Sequence, residues 1–202
     1  GGGFHRYSTD AKWLVPHFEK MLYDNGLLVS TYATAYELTK DEEYARVIRE
    51  TIEYIERELR AQNGGFFSAQ DAETNHLEGE TYLWREAEIR AALPNGTEED
   101  IAFLLAIYGI DQGTNFRDPH HPEVPPTNVL YLTDHPNRLA SANGLDIESF
   151  HEKRDTLNKA LLVVRDTRDQ PLTDDKIITA WNGLMMAGYA DSGRVLANQT
   201  WI

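Results

Sequence analysis

Tyr23-Asp24-Asn25-Gly26-Leu27-Leu28, leading to Tyr32-Ala33, aligns with Ala180-Trp181-Asn182-Gly183-Leu184-Met185, leading to Tyr189-Ala190. Both stretches carry Asn-Gly-Leu and then Tyr-Ala at the same spacing. The first lies in residues 17–38, where Met21, Leu22, Leu27, Leu28, Val29, Tyr32, Ala33, Ala35, Tyr36 and Leu38 cover most of a helical circumference. The second lies in the apolar segment from Ile177 to Tyr189. A helix that is apolar nearly all round is enclosed by protein. Glycine inside a helix costs about 1 kcal/mol relative to alanine, so its repetition predicts close packing against another helix or a loop.

Outward from these copies the pattern changes. Residues 41–60 place Tyr44, Val47, Ile48, Thr51, Ile52, Ile55 and Leu59 at three-and-four spacing on an otherwise charged surface, an amphipathic helix. Thr39-Lys40-Asp41-Glu42 has capping-box spacing, which predicts Thr39 as the cap. An enclosed helix followed by an amphipathic one makes an inner-and-outer hairpin. Ile147, Phe150, Arg154, Leu157, Leu161 and Val164 form a second amphipathic stripe before the second enclosed helix. Shorter helices are predicted at 85–93 and, opened by Thr97, at 98–109, and the proline-rich stretch from Asp118 to Pro126 reads as a loop. Gly2-Gly3-Phe4-His5 resembles Gly64-Gly65-Phe66-Phe67, each opening a short aromatic strand. Repeated helix pairs with loops signal an array, and alternating enclosed and amphipathic helices favour closure into a ring. The predicted class is mainly α: a partial (α/α)6 toroid of helical hairpins with short β-hairpins at its loop face. Residues 1–202 are expected to form part of one such domain, with both ends reading as cuts in a longer protein.

The composition, 41% hydrophobic and 26% charged, supports a packed core. A net charge of −14 repels phosphate backbones and anionic lipid, which sets aside nucleic-acid and membrane partners. With no cysteine there is no disulfide and no thiolate nucleophile or metal ligand, and a reducing, cytoplasmic location is expected. No metal site and no cofactor are expected: His17-Phe18-Glu19 lacks a second spaced pair, and His120-His121 sits beside prolines in a loop.

Three clusters carry candidate chemistry. The first runs from His5 to Asp24. Pro16 suits the first position of a helix, which would put His17, Glu19 and Lys20 in the first turn and Tyr23 and Asp24 one turn later. His5 or His17 could exchange a proton near neutral pH, Arg6 could clamp a carboxylate or a sugar hydroxyl, and Trp13 could stack on a pyranose face. The bland alternative is that Glu19 and Lys20 solvate a helix start and the histidines are packing residues. The second cluster is Asp71 and Glu73, a polar turn, then Glu78, Glu80, Tyr82 and Trp84. If the strands pair around that turn, crowding raises at least one carboxyl pKa, as general acid catalysis at a glycosidic bond requires. A solvated acidic hairpin is the commoner fate of such a run. The third is Asp174-Asp175-Lys176 before Trp181 and Asn182, where acids can simply complement a helix dipole.

GGGFHRYSTDAKWLVPHFEKMLYDN, then GGFFSAQDAE with EGETYLW, and finally LTDDKIITAWNGLM resemble, in matching order, the YyaL type of proteins, also called spermatogenesis-associated thioredoxin-domain proteins. The resemblance spans residues 1 to about 190 and is loose over 94–172. It implies an N-terminal thioredoxin-like domain, absent from this chain, joined to a six-hairpin toroid similar to N-acylglucosamine 2-epimerases and six-hairpin glycosidases. Two readings of function follow. A carbohydrate-active domain would work either as an epimerase or isomerase through His5 or His17, with Arg6 and Glu19 steadying the substrate, or as a glycosidase through two of Asp71, Glu73, Glu78 and Glu80. Lys20, Tyr23, Asp24, Asp175, Trp181 and Asn182 would help bind a small sugar-like ligand. The alternative is a non-catalytic module that binds a glycan or partner and serves the thioredoxin-like domain.

Overall fold

The structure, a computed structural model, describes every residue from Gly1 to Ile202. Seven α-helices and seven two-residue strands make up its regular structure. The chain divides into two compact units, one of Gly1–Ser8, Pro16–Glu73 and Pro171–Ile202, the other of Thr9–Val15 and Thr74–Gln170.

In the first unit, helix α1 (Leu22–Thr39) and helix α2 (Glu42–Tyr54) form the expected hairpin, and α2 ends in a widened π-helical turn at Ile55–Leu59. The cap of α2 is not Thr39. Asp41 accepts from the Glu43 amide at 2.9 Å, while the Thr39 hydroxyl turns back to the Ala35 carbonyl at 2.8 Å. Lys40 ends α1 in the left-handed region at φ 56°, and that bend leaves Asp41 extended and in capping position. The start of α1 also departs from expectation. Pro16–His17 is strand β2, paired with β1 (Tyr7–Ser8), and Lys20–Met21 is strand β3. Pro16 thus stiffens an extended strand rather than opening a helix, and Tyr23 and Asp24 occupy the first helical turn.

Helix α7 (Thr179–Val195) runs parallel to α1: Tyr23 meets Trp181, Gly26 meets Leu184 and Met185, Ser30 bonds Asp191, and Glu37 pairs with Arg194. The helices touch through backbone. A Cβ on Gly26 would lie 2.9 Å from the Met185 nitrogen, and one on Gly188 would lie 2.9 Å from the Gly26 carbonyl oxygen. The repeated glycines therefore do not play equal parts, because a Cβ on Gly183 would meet nothing within 4 Å. Leu22, Val29, Ile48, Ile52, Leu59 and Met185 form the core, each 1% exposed or less. Full burial of such side chains is worth roughly 1.5–3 kcal/mol apiece.

The two sequence copies superpose in hydrogen bonding. Tyr7 pairs with His17 and Ser8 with Pro16; in the second copy, strand β4 (Ala69–Gln70) meets β7 (Thr173–Asp174), Ala69 opposite Asp174 and Gln70 opposite Thr173. Asn25 bonds both backbone groups of Phe4, at 2.7 Å and 3.3 Å, and Asn182 does the same to Phe66 at 2.8 Å and 3.0 Å. Phe4 packs on Tyr32 and Phe66 on Tyr189. Each helical asparagine thus acts as a one-residue strand that holds a Gly-Gly-Phe segment against its helix.

The second unit has its own core, built on Leu104, Ile107, Ile89, Phe150 and Leu161. Its helices are α3 (Glu86–Ala92), α4 (Glu98–Ile107), α5 (Pro136–Ala142) and α6 (Ile147–Arg165). Thr97 caps α4 as expected, exchanging bonds with Asp100. Strands β5 (Glu73–Thr74) and β6 (Leu77–Glu78) form the acidic hairpin, closed by Asn75 and His76, both at positive φ. Such a turn matches the right-handed twist of the strands. The Asp118–Pro126 stretch contains no helix or strand, as its prolines predict.

Candidate functional site

The first unit gathers functional groups where α1 and α7 begin. Arg6 donates to Glu19 at 2.8 Å, and the His17 Nε2 lies 3.7 Å from the same Glu19 oxygen. The His17 ring stacks on Tyr7 with centroids 4.9 Å apart. All of these residues stand on the extended segments that precede α1, so backbone pairing fixes their spacing. One turn into α1, Tyr23 meets Trp181 edge to face at 4.8 Å. Asp24 follows Tyr23 in the first turn of α1, within electrostatic reach of Arg6 and Glu19. Burial raises its carboxyl pKa, Glu19 adds to the rise, and Arg6 opposes it. Its Oδ2 is buried and has no hydrogen-bond partner. A carboxyl held toward its neutral form beside a fixed guanidinium–carboxylate–imidazole chain can give up or accept a proton.

The second unit contains a cleft of about 290 Å³. Leu77, Leu83, Phe116, Val124 and Pro125 supply apolar lining, and Glu78, Glu80, Glu88, Asp118 and Asp169 supply carboxylates. Asn75 donates through one nitrogen to both Glu80 and Asp169, at 3.2 Å and 2.9 Å. Arg168 lies 4.0 Å over the Trp84 ring and donates to the Thr81 and Leu83 carbonyls at 3.0 Å and 2.7 Å. Burial, with Arg165 and Arg85 nearby, lowers its pKa against the pull of Glu88 and Glu80.

No protein-family model matches the chain. Proteins of known name do. The chain is 38% identical to human spermatogenesis-associated protein 20, 36% to the mouse protein and 35% to the rat protein, each over 97% of its own length. These three relatives share the name spermatogenesis-associated protein 20. The chain spans 27% of the length of each of these relatives. The match to spermatogenesis-associated protein 20 therefore takes in residues of both units, and it agrees with the resemblance carried by the sequence motifs.

Several expected site residues have other work. Lys20 is 3% exposed, donates to the Gly2 carbonyl at 2.8 Å and sits over the Tyr54 ring, contacts that brace the fold. Trp84 is 3% exposed, a core residue whose face is covered by Arg168. Asn182 spends its amide on Phe66 and on the Ile178 carbonyl, and Asn25 shows the same economy in the first copy. His5 bonds the Phe18 carbonyl at 2.8 Å and packs edge to face on the Phe18 ring. Tyr82 lies under Arg165. Trp13 is 83% exposed on a loop that Asp10 organises by accepting from the Lys12, Leu14 and Val15 amides, and those bonds, Val15's foremost, lower the Asp10 pKa. Asp175 is exposed ahead of α7, while Asp174 binds Lys176 at 2.6 Å.

Of the four acids, Glu73 and Glu78 stand on the paired strands β5 and β6, Glu78 and Glu80 line the cleft, and Asp71 accepts from the Ala72 and Glu73 amides. Sequence reading missed the cleft's Asn75, Arg168 and Asp169. Asn75 and Asp169 meet across a long stretch of chain, and no local pattern marks such a meeting.

Proposed function

We propose that the first unit is a sector of an (α/α)6 toroid and that its cluster at the start of α1 and α7 acts on a sugar-like ligand by proton transfer next to a carbonyl. Two parallel helices packed backbone to backbone, an amphipathic α2 beside one of them, and a strand-and-asparagine module repeated in register support the array. One observation carries the chemistry: Asp24, with a raised pKa and an unpartnered buried oxygen, stands beside the Arg6–Glu19–His17 chain and the Tyr23–Trp181 aromatic pair. In this reading the His17 imidazole removes a proton from the carbon next to the carbonyl, and the Asp24 carboxyl gives a proton to the carbonyl oxygen. An enediol results. Return of a proton to carbon from the other face, or to the neighbouring carbon, completes an epimerisation or an isomerisation. Arg6 offsets charge on the oxygen, and Trp181 with Tyr23 packs against the sugar's apolar face.

The test is solvent-deuterium incorporation into a panel of aldoses, ketoses and N-acyl sugars by the full-length protein. Exchange is expected with the native protein and lost, with the fold intact, in His17→Ala and Asp24→Asn, while Glu80→Ala keeps it. Absence of exchange and of binding with every sugar would sink the enzymatic reading. Hydrolysis of a glycoside by the native protein, kept in His17→Ala and lost in Glu80→Ala, would point instead to the glycosidase chemistry of Glu78 and Glu80. A second reading, a glycan- or partner-binding module serving an attached thioredoxin-like domain, is favoured by the cleft of the second unit, where apolar walls and fixed carboxylates suit binding without chemistry.

A further inference from the structure

The cleft of the second unit holds more negative charge than its own cations answer. Five carboxylates line it against the guanidinium groups of Arg85 and Arg168, and both of these lie 3.8 Å from one oxygen of Glu88. Arg168 is further committed to the Trp84 ring and to the Thr81 and Leu83 carbonyls. Asp118 has no such answer. It is only 7% exposed; its Oδ1 accepts from the His120 amide at 2.8 Å, and its Oδ2 has neither a hydrogen-bond donor nor a cation in contact. Glu80 and Asp169 converge on one Asn75 nitrogen, an uncharged donor, and neither is in an ion pair. Burying a carboxylate without a cation is costly, and a ligand that brings both charge and N–H donors removes the cost.

The shape of that ligand follows from the lining. No three of these carboxylates are grouped closely enough to hold a metal ion, and Phe116, Val124 and Pro125 put apolar surface in the same cleft. A point charge suits neither feature. A cation with charge at two ends and methylenes between them suits both, and a cleft of about 290 Å³ is at the small end of ligand sites. We infer that this cleft binds a small aliphatic diamine or polyamine, one ammonium held by Glu80 and Asp169, another by Oδ2 of Asp118, and the methylene chain against Phe116 and Val124. The net charge of −14 draws such cations to the chain and repels anionic competitors. This ligand presupposes that the cleft binds without chemistry, and nothing in it depends on proton transfer at the start of α1 and α7.

The test is calorimetric titration of the full-length protein with putrescine and spermidine. Both should bind saturably. Butylamine, with a single ammonium, should bind about tenfold or more weakly than putrescine, and uncharged butanediol should not bind. Asp118→Asn and Asp169→Asn keep the side-chain shape, and each should weaken putrescine binding by about tenfold or more without lowering the thermal midpoint of the free protein. Glu99→Gln, which removes the same charge from an exposed position on α4, should leave binding unchanged. Absence of saturable binding would overturn the assignment, as would unchanged affinity in both aspartate variants or butylamine binding as tightly as putrescine. Equal weakening by Glu99→Gln would show that overall charge collects the cations and would overturn it as well. A neutral glycan bound in a manner sensitive to Asp169→Asn, with no amine bound, would keep the cleft as a binding site and overturn its cationic ligand. Failure of the sugar exchange assay leaves all of these readouts unchanged.

Discussion

Replacing Asn25 with alanine strands the amide and carbonyl of Phe4 and removes a bond to the Met21 carbonyl, at a position that is 0% exposed. Leaving buried polar groups unpaired costs about 1–3 kcal/mol, so Asn25→Ala should lower stability by that amount in urea titrations. Asn182→Ala should act in the same direction and less strongly, because Asn182 is only half-buried. Asp24 has the opposite character. Its folded pKa is raised, so the folded state binds the proton more tightly than the unfolded chain does. Stability therefore falls as pH rises from the ordinary carboxyl range through the raised folded value, and the full loss is present above it. Asp24→Asn should raise the thermal midpoint at pH 7 and leave it nearly unchanged at pH 3. A lower midpoint at pH 7 would show that the ionised carboxylate is held by favourable contacts. The asparagines were legible as a repeat but not as clamps, because their partners are backbone groups, which no side-chain pattern displays.

Among the elements, those set by one apolar period were legible and those set by backbone geometry were not. Residues 41–60 read as an amphipathic helix and form α2 with its π-helical end; the stripe from Ile147 to Val164 forms α6. Pro16 was misleading because fixed φ suits a strand edge as well as a helix start, and pairing with Ser8 decides the matter. The cap moved from Thr39 to Asp41 because Lys40 turns left-handed. Asp41→Ala should cost about 0.5–2 kcal/mol in chemical denaturation, and Thr39→Val, which loses the bond to the Ala35 carbonyl and a longer one accepted from the Asp41 amide at 3.2 Å, less than that. The helix crossing gives a sharper contrast. Gly26→Ala would push a methyl into rigid backbone of α7, at 2.9 Å from two of its atoms, and should destabilise by about 1–3 kcal/mol in the same assay.

For the whole molecule, the first and second copies differ in what joins their strands. Thr9 donates its amide to the Val15 carbonyl at 2.8 Å, and Asp71 donates to the Leu172 carbonyl at the same length, so the two hairpins reach the same rung of their ladders. In the first copy a short loop closes the hairpin. In the second, the helices and core of residues 74–170 intervene, so the repeat shows in the sequence only in the segments that flank them. The first unit's core, from Leu22 to Met185, draws no residue from that insertion. Loop-closure entropy grows only slowly with length, so a long insertion leaves a hairpin viable and a short replacement should leave it at least as stable. Exchanging residues 72–171 for a second copy of residues 10–14 should therefore yield a chain that unfolds in one cooperative transition. The Tyr23–Trp181 contact should persist in its near-ultraviolet circular dichroism. A non-cooperative melt, or loss of that signal, would show that the α1–α7 pair is held by the insertion and not by the repeated strands and asparagines.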